Sequence, residues 1–173
     1  MKLNLGCGND LKKDFVNIDI IEPYDLKLDI EKEKFPFLDN SVDYIVCERT
    51  LEHLSDITNV MLESYRVLKQ GGKLRITCWY SRHPMAFQPS HKIFFNIHSL
   101  EMWYGKVSDM NYPISFKKES VRLYHFPKKW EWLSKKILKW NPDIYQNLFA
   151  IFFPAKQIEF ILVKKEGDEN NDT

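Results

Sequence analysis

Short apolar runs alternate with polar stretches through the first half of the chain. Lys2–Leu5, Phe15–Ile20 and Val42–Cys47 have the length and composition of buried strands, and a weaker run lies at Tyr24–Leu28. After the third, Ile57, Val60, Met61, Tyr65 and Leu68 recur at spacings of three and four, the period of a helix with one buried face. Gln70-Gly71-Gly72 supplies a stop and a turn, and Lys73–Thr77 is strand-like again. Strand, helix and strand in that order predict a right-handed βαβ unit and therefore a parallel sheet.

The second half is less regular. Cys78–Phe95 is rich in His, Pro, Ser and aromatics and reads as a long loop, a length that commonly serves function. Ser99–Trp103 is a short helical stretch, and Val121–Phe126 is the clearest strand within Ile114–Phe126. Lys128–Trp140 reads as a helix with Trp130, Leu133, Ile137 and Trp140 on one stripe, and Asp143–Phe153 as a second. Gln157–Lys164 is a final strand, and Glu166–Thr173 (EGDENNDT) has the composition of a disordered acidic tail. No repeat or linker divides residues 1–165, which are expected to form a single domain.

The sharpest chemical signal lies in Met1–Asp19. One apolar run ends in Gly6-Cys7-Gly8, and the next ends in Asp19. Glycines allow a tight bend and close backbone approach to a ligand, and an acid closing the next strand can accept from a ribose diol. That pairing predicts a nucleoside-containing cofactor. Six residues, Asn9–Asp14, join Gly8 to Phe15. Fully extended they reach roughly 20 Å, while a five-residue strand is roughly 16 Å long. Parallel strands therefore leave no room for a full helix in the link. A pyrophosphate depends on a helix N-terminus at this point. S-adenosylmethionine carries no phosphate, so the spacing favours it over NAD or FAD.

Composition adds bounds. At 173 residues and 44% hydrophobic content, the chain can bury a core within one domain. No run reaches the roughly 18 apolar residues of a bilayer span, and a strand-like start argues against a secretory signal, so a cytoplasmic location is expected. Cys7, Cys47 and Cys78 lack metal or redox spacing and read as buried free thiols. Charge is uneven: residues 1–87 carry −2 and residues 88–165 carry +7. The lysines beside the stripe in 128–140 leave two readings, a solvated helix packed on the sheet or peripheral contact with an anionic membrane.

Several segments resemble the class I S-adenosylmethionine-dependent methyltransferases, in particular the type 11 group. LNLGCGN (Leu3–Asn9) resembles the glycine motif, and FVNIDI (Phe15–Ile20) the second strand with its ribose-binding acid. Leu28–Leu54 resembles three family features in succession: an acid after the third strand, a PF-x-D-x-S-x-D turn at Phe35–Asp43, and an LEHL helix start at Leu51–Leu54. RVLKQGGKLRIT (Arg66–Thr77) resembles the fourth helix, the GG turn and the fifth strand. The resemblance implies a Rossmann-like α/β fold. Its seven-stranded, mostly parallel sheet runs 3-2-1-4-5-7-6 with an antiparallel last strand, and here the first helix is shortened or absent. It implies S-adenosylmethionine as cofactor, bound by Gly6, Cys7, Gly8, Asn9, Asp19, Ile20, Asp29, Ile30 and Glu48. Many relatives cover the cofactor with an N-terminal extension; here the first strand is expected from Lys2 onward, so Trp79–Phe95 is the candidate lid.

His53 and His91 are the candidate proton acceptors for a hydroxyl acceptor, each with a structural alternative. Glu48, at the carboxyl edge of its strand, could meet the cofactor's ammonium or the substrate. Some metal-dependent relatives carry Glu-x-x-Glu-His at this point. Arg49 stands at the first of those acids, so no metal is expected. The expected acceptor is a small molecule, a sugar or a lipid-linked intermediate. The rival readings are a non-catalytic S-adenosylmethionine-binding protein and a nucleic-acid methyltransferase using the basic C-terminal half. Against the latter, there is no Asn-Pro-Pro-Tyr-type signature. The oligomeric state is not read from the sequence.

Overall fold

The structure, a computed structural model, describes residues 1–104, 114, 116–124, 131–150 and 155–165. The strands are β1 (Lys2–Leu5), β2 (Val16–Asp19), β3 (Leu26–Lys27), β4 (Val42–Glu48), β5 (Leu68–Trp79), β6 (Phe116–Tyr124) and β7 (Gln157–Lys164). They form one sheet in the order β3-β2-β1-β4-β5-β7-β6, with β7 antiparallel to both neighbours and the remaining pairs parallel. This is the expected Rossmann-like topology. The central strands are buried on both faces: Leu3, Leu5, Ile45, Leu74, Ile76 and Phe160 have no exposed surface. Their near-continuous apolar runs follow from that position.

The helices are α1 (Thr58–Val67), α2 (Glu101–Tyr104), α3 (Glu131–Trp140) and α4 (Pro142–Ile144), the last continuing into a π turn at Tyr145–Phe149. α1 lies between β4 and β5, completing the expected βαβ unit, and buries Val60, Met61, Ser64 and Val67. β5 is longer than the apolar run implied. Val42 pairs with Leu68 and Tyr44 with Lys73, so Lys69–Gly72 bulges out within the strand. Gly71, at φ +73°, makes that bulge possible. The proposed tail 166–173, Trp130, the start of the 128–140 helix, residues 125–126 and residues 151–153 lie outside the described residues.

No helix follows β1. Side chains hold the short link instead. Asn4 and Asn17 are register partners on β1 and β2, and both are buried. The Asn4 amide donates to Asn17 Oδ1 and to the Asp10 carbonyl, each at 2.9 Å. Asn17 Oδ1 also accepts from the Lys12 amide at 2.8 Å, and Asn17 Nδ2 donates to Asp25 Oδ2 at 2.7 Å. Two buried amides thus satisfy link backbone that a helix would otherwise satisfy internally.

Candidate active site

The carboxyl ends of the parallel strands share one edge, and the turns leaving β1, β2, β3 and β4 surround a cleft of about 560 Å³ there. That size suits a small organic ligand. The backbone turns left-handed at Gly6 (φ +62°) and Gly8 (φ +48°). A Cβ on Gly6 would lie 2.1 Å from Thr50 Cγ2, so only glycine fits against the turn after β4. A Cβ on Gly8 would meet nothing within 4 Å, because that position faces open space.

Gly8 and Asp19 converge. The Gly8 amide donates to Asp19 Oδ2 at 2.8 Å, and Asp19 Oδ1 accepts from the amides of Ile20 (2.7 Å) and Ile21 (3.1 Å). A carboxylate offers about four acceptor sites, so Oδ2 keeps one for a ligand hydroxyl. Across the cleft, Asp29 follows β3; its Oδ1 accepts from the Glu31 amide and its Oδ2 lies 3.2 Å from Lys32 Nζ. Between the two acids the lining is apolar, from buried Leu28 and Ile30 and from Ile20 and Ile21, which are largely exposed.

A second cavity of about 650 Å³ adjoins the first at Gly6, Gly8, Arg49 and His53. Its walls include Asn9, Glu48 and, from the 79–95 loop, Trp79, Met85, Gln88 and His91. That loop is anchored at its base. Tyr80 bridges to Phe95, both fully buried, and the Glu52 carbonyl accepts from the amides of Lys92 and Ile93. Glu52 is itself buried; Oε1 accepts from the Trp79 amide at 3.3 Å. The candidate lid therefore forms one wall of the second cavity.

His53 and His91 lie together, ring centroids 4.7 Å apart and edge to face. His91 Nδ1 lies 3.0 Å from the Ala86 carbonyl, and His53 Nδ1 lies 3.3 Å from the Ser90 carbonyl. A carbonyl only accepts, so in each neutral ring Nδ1 carries the proton and Nε2 keeps its lone pair. Burial, reinforced by Lys156, pushes the His83 imidazole down. Trp79 stacks on that ring at 5.4 Å.

Glu48 stands at the second cavity with both carboxylate oxygens engaged, Oε2 by Lys12 at 2.9 Å and Oε1 by Arg75 at 2.9 Å. Lys12 also holds Asp10, and that hydrogen bond draws the Asp10 carboxyl below its ordinary value. The Cys7 side chain turns away, with its thiol 3.4 Å from the Pro23 carbonyl, so Cys7 meets the second cavity only at its edge. Burial, then the Glu52 carboxylate, pushes the Cys47 and Cys78 thiols up and keeps them protonated. Among the described residues no three His, Cys, Asp or Glu side chains gather to hold a metal ion.

The sequence reading missed Arg49 and Thr50 as site residues. Arg49 lines both cavities with its backbone at φ +53°, where its amide donates to the Thr77 carbonyl at 2.6 Å. Nothing in a run such as Cys-Glu-Arg-Thr announces a left-handed arginine. Lys92 was missed as well, because its place at the cleft depends on how the 79–95 loop folds back.

S-adenosylmethionine fits this donor set. Its adenosine needs an acceptor for the ribose diol, an apolar slot for a flat ring and an acceptor for an amino group. Asp19 Oδ2, the Leu28–Ile30 surface and Asp29 have that chemistry. A dinucleotide's pyrophosphate would find no helix N-terminus after the glycine turn.

Comparison with known proteins agrees. Residues 8–76 match the family model described as a methyltransferase domain, type 11. A curated relative, demethylmenaquinone methyltransferase of Geobacillus sp. (strain WCH70), is 31% identical over 88 residues, covering 50% of this chain and 37% of that protein. The chain therefore spans little more than a third of this relative's length. A SAM-dependent methyltransferase from Archaeoglobus fulgidus superposes with a TM-score of 0.66 at 15% identity, over 94% of this chain and 85% of that one. A [4+2]-cyclase, SpnF, superposes at 0.60 with 14% identity, over 96% and 74%. Residues 8–76 are thus similar to the type 11 methyltransferase domain, and the whole chain has the fold of the class I S-adenosylmethionine-dependent methyltransferases.

Proposed function

We propose that this protein binds S-adenosylmethionine in the cleft between Gly8 and Asp29 and transfers its methyl group to a small acceptor in the adjoining cavity. The observation that carries the reading is the Gly8–Asp19 contact at the mouth of an apolar cleft. When bound, the cofactor supplies an electrophilic methyl on a sulfonium, so the protein's share is positioning and exclusion of water. Asp19 accepts from the ribose, and Asp29 faces the base. Gly6 and Gly8 let the backbone approach between the two cavities. Trp79 and Met85 give the acceptor an apolar wall.

His53 and His91 are the proton acceptors in this reading. Each presents a free Nε2 when neutral, and losing a proton makes an acceptor hydroxyl a better nucleophile. His91→Asn preserves an N–H toward the Ala86 carbonyl and removes the base. It should lower kcat roughly 10²–10⁴-fold with S-adenosylmethionine affinity unchanged. Unchanged turnover in both His91→Asn and His53→Asn would remove the base from the mechanism.

The test is release of S-adenosylhomocysteine across a panel of small hydroxylated acceptors and lipid-linked intermediates. Demethylmenaquinone belongs in that panel, because the curated relative's name points to it. A second reading is cofactor binding without transfer, since one fold neighbour carries the name of a cyclase and not of a methyltransferase. Tight S-adenosylmethionine binding with no S-adenosylhomocysteine from any acceptor would favour it.

A further inference from the structure

α3 shows two sharply different arcs. Ser134 and Ile137 are buried and Leu133 and Leu138 pack against the core. At 3.6 residues per turn these four share one side. The other side holds Trp132, Lys135, Lys136, Lys139 and Trp140, all exposed. Among the described side chains, every one on that arc is lysine or tryptophan. Trp132 is 57% exposed and Trp140 77%, while Lys136 Nζ sits 5.0 Å from the Trp132 ring. The stripe expected from the sequence is thereby divided: Leu133 and Ile137 face the core, and Trp140 faces solvent.

A cavity of about 350 Å³ adjoins this arc, with Lys135 and Lys139 on one wall and Lys118 and Arg122 of β6 on the other. The carboxylates on its wall each have a partner, Glu119 in Lys73 and Glu101 in His98 of the same wall. Glu119 accepts twice from Lys73, and His98 lies between Glu101 (2.8 Å) and Asp143 (3.1 Å). Four cations thus line one cavity, of which Arg122 lies 4.0 Å from Glu159 and Lys118 sits over the Tyr104 ring, while Lys135 and Lys139 face outward beside them.

A merely solvated helix face mixes both signs of charge and keeps indoles covered. Tryptophan beside lysine is the pairing found at the lipid headgroup level, where the ring is half solvated and the ammonium meets phosphate. We propose that the outer arc of α3, flanked by the β6 cations, docks this protein on an anionic bilayer surface. The contact is peripheral, since no helix among the described residues is long and apolar enough to cross a membrane. It does not depend on the methyl-transfer reading.

Sedimentation of the full chain with phosphatidylcholine vesicles, with and without phosphatidylserine, tests the proposal. Binding should need phosphatidylserine and weaken as salt rises. The triple variant Lys135→Gln, Lys136→Gln, Lys139→Gln should bind roughly a hundredfold more weakly, since each surface lysine contributes roughly fivefold. Trp132→Ser with Trp140→Ser should weaken it further. These side chains are exposed, so both variants should keep the wild-type circular dichroism. Three results would overturn the proposal: no sedimentation with anionic vesicles, vesicle binding indifferent to the lysines, or lysine-dependent binding to duplex RNA or to a second copy of the chain without vesicle binding.

Discussion

Asn17 shapes the site from behind. Its amide meets Asn4, Lys12 and Asp25, and so sets the path of the link that carries the glycine turn into β2. Removing it orphans buried donors and acceptors on three sides. Asn17→Ala should destabilise the fold by about 2–3 kcal/mol in urea denaturation, a loss characteristic of unsatisfied buried polar groups. Asn17→Asp replaces the amide that donates to Asp25 with a second carboxylate and should be no milder. This network was partly legible in the sequence. Leu3-Asn4-Leu5 and Val16-Asn17-Ile18 each place one amide inside an apolar run, but only the β1–β2 register sets the two side by side. Arg49 was not legible in that way, because its position follows from a left-handed backbone held by β5.

Among the elements, α1 and the Phe35–Asp43 turn are locked together by Arg66. Its guanidinium donates to the Phe35 and Phe37 carbonyls, to Asp39 Oδ1 and to Glu63. Burial pushes the Glu63 carboxyl up, but the Arg66 hydrogen bonds, the Phe35 amide and the nearby cations hold it below its ordinary value. The hydrogen bond from Arg66 lowers Asp39 as well. Both folded values are depressed, so the stabilisation is complete above the unfolded carboxylate range and fades as pH falls through the folded values. Stability should therefore decline on acidification from about pH 4.5 downward. Arg66→Lys cannot reproduce the planar fork and should cost about 1–3 kcal/mol at neutral pH, with a shallower acid decline. Urea midpoints across that pH range measure both effects. The Phe-Pro-Phe-Leu-Asp turn and the helix period were plain in the sequence, whereas the clamp joining them is a tertiary contact spanning 27 to 31 positions. The same limit applied to α3. Its period was visible, but that Trp132 and Trp140 face solvent while Leu133 and Ile137 face inward depended on packing against β6 and the core.

For the molecule as a whole, the alternation of strands and helix through residue 80 was sufficient to predict a parallel sheet, because βαβ units admit one hand. The strand order rested on resemblance, and the β5-β7-β6 half had no other support, since its strands are separated by segments without clear period. Those strands nevertheless carry much of the core. Phe160 lies on β7 between β5 and β6 with no exposed surface. Phe160→Ala should cost about 3–5 kcal/mol, the range for a large buried ring replaced by a void, and thermal unfolding would register it. Ligand binding acts on the same balance. S-adenosylmethionine at about a hundred times its Kd should stabilise the fold by about 2.7 kcal/mol, and a cofactor held elsewhere would not lose that effect when Asp19 changes.

Calorimetric titration of S-adenosylmethionine into wild type and Asp19→Ala bears most directly on the cleft. The variant loses the carboxylate that meets both the Gly8 amide and, in this account, the ribose. Affinity should fall by about 1–3 kcal/mol, roughly 5- to 150-fold, while NAD gives no saturable heat with either protein. Equal affinity in the two proteins would place the nucleoside away from the turn after β1 and contradict the account.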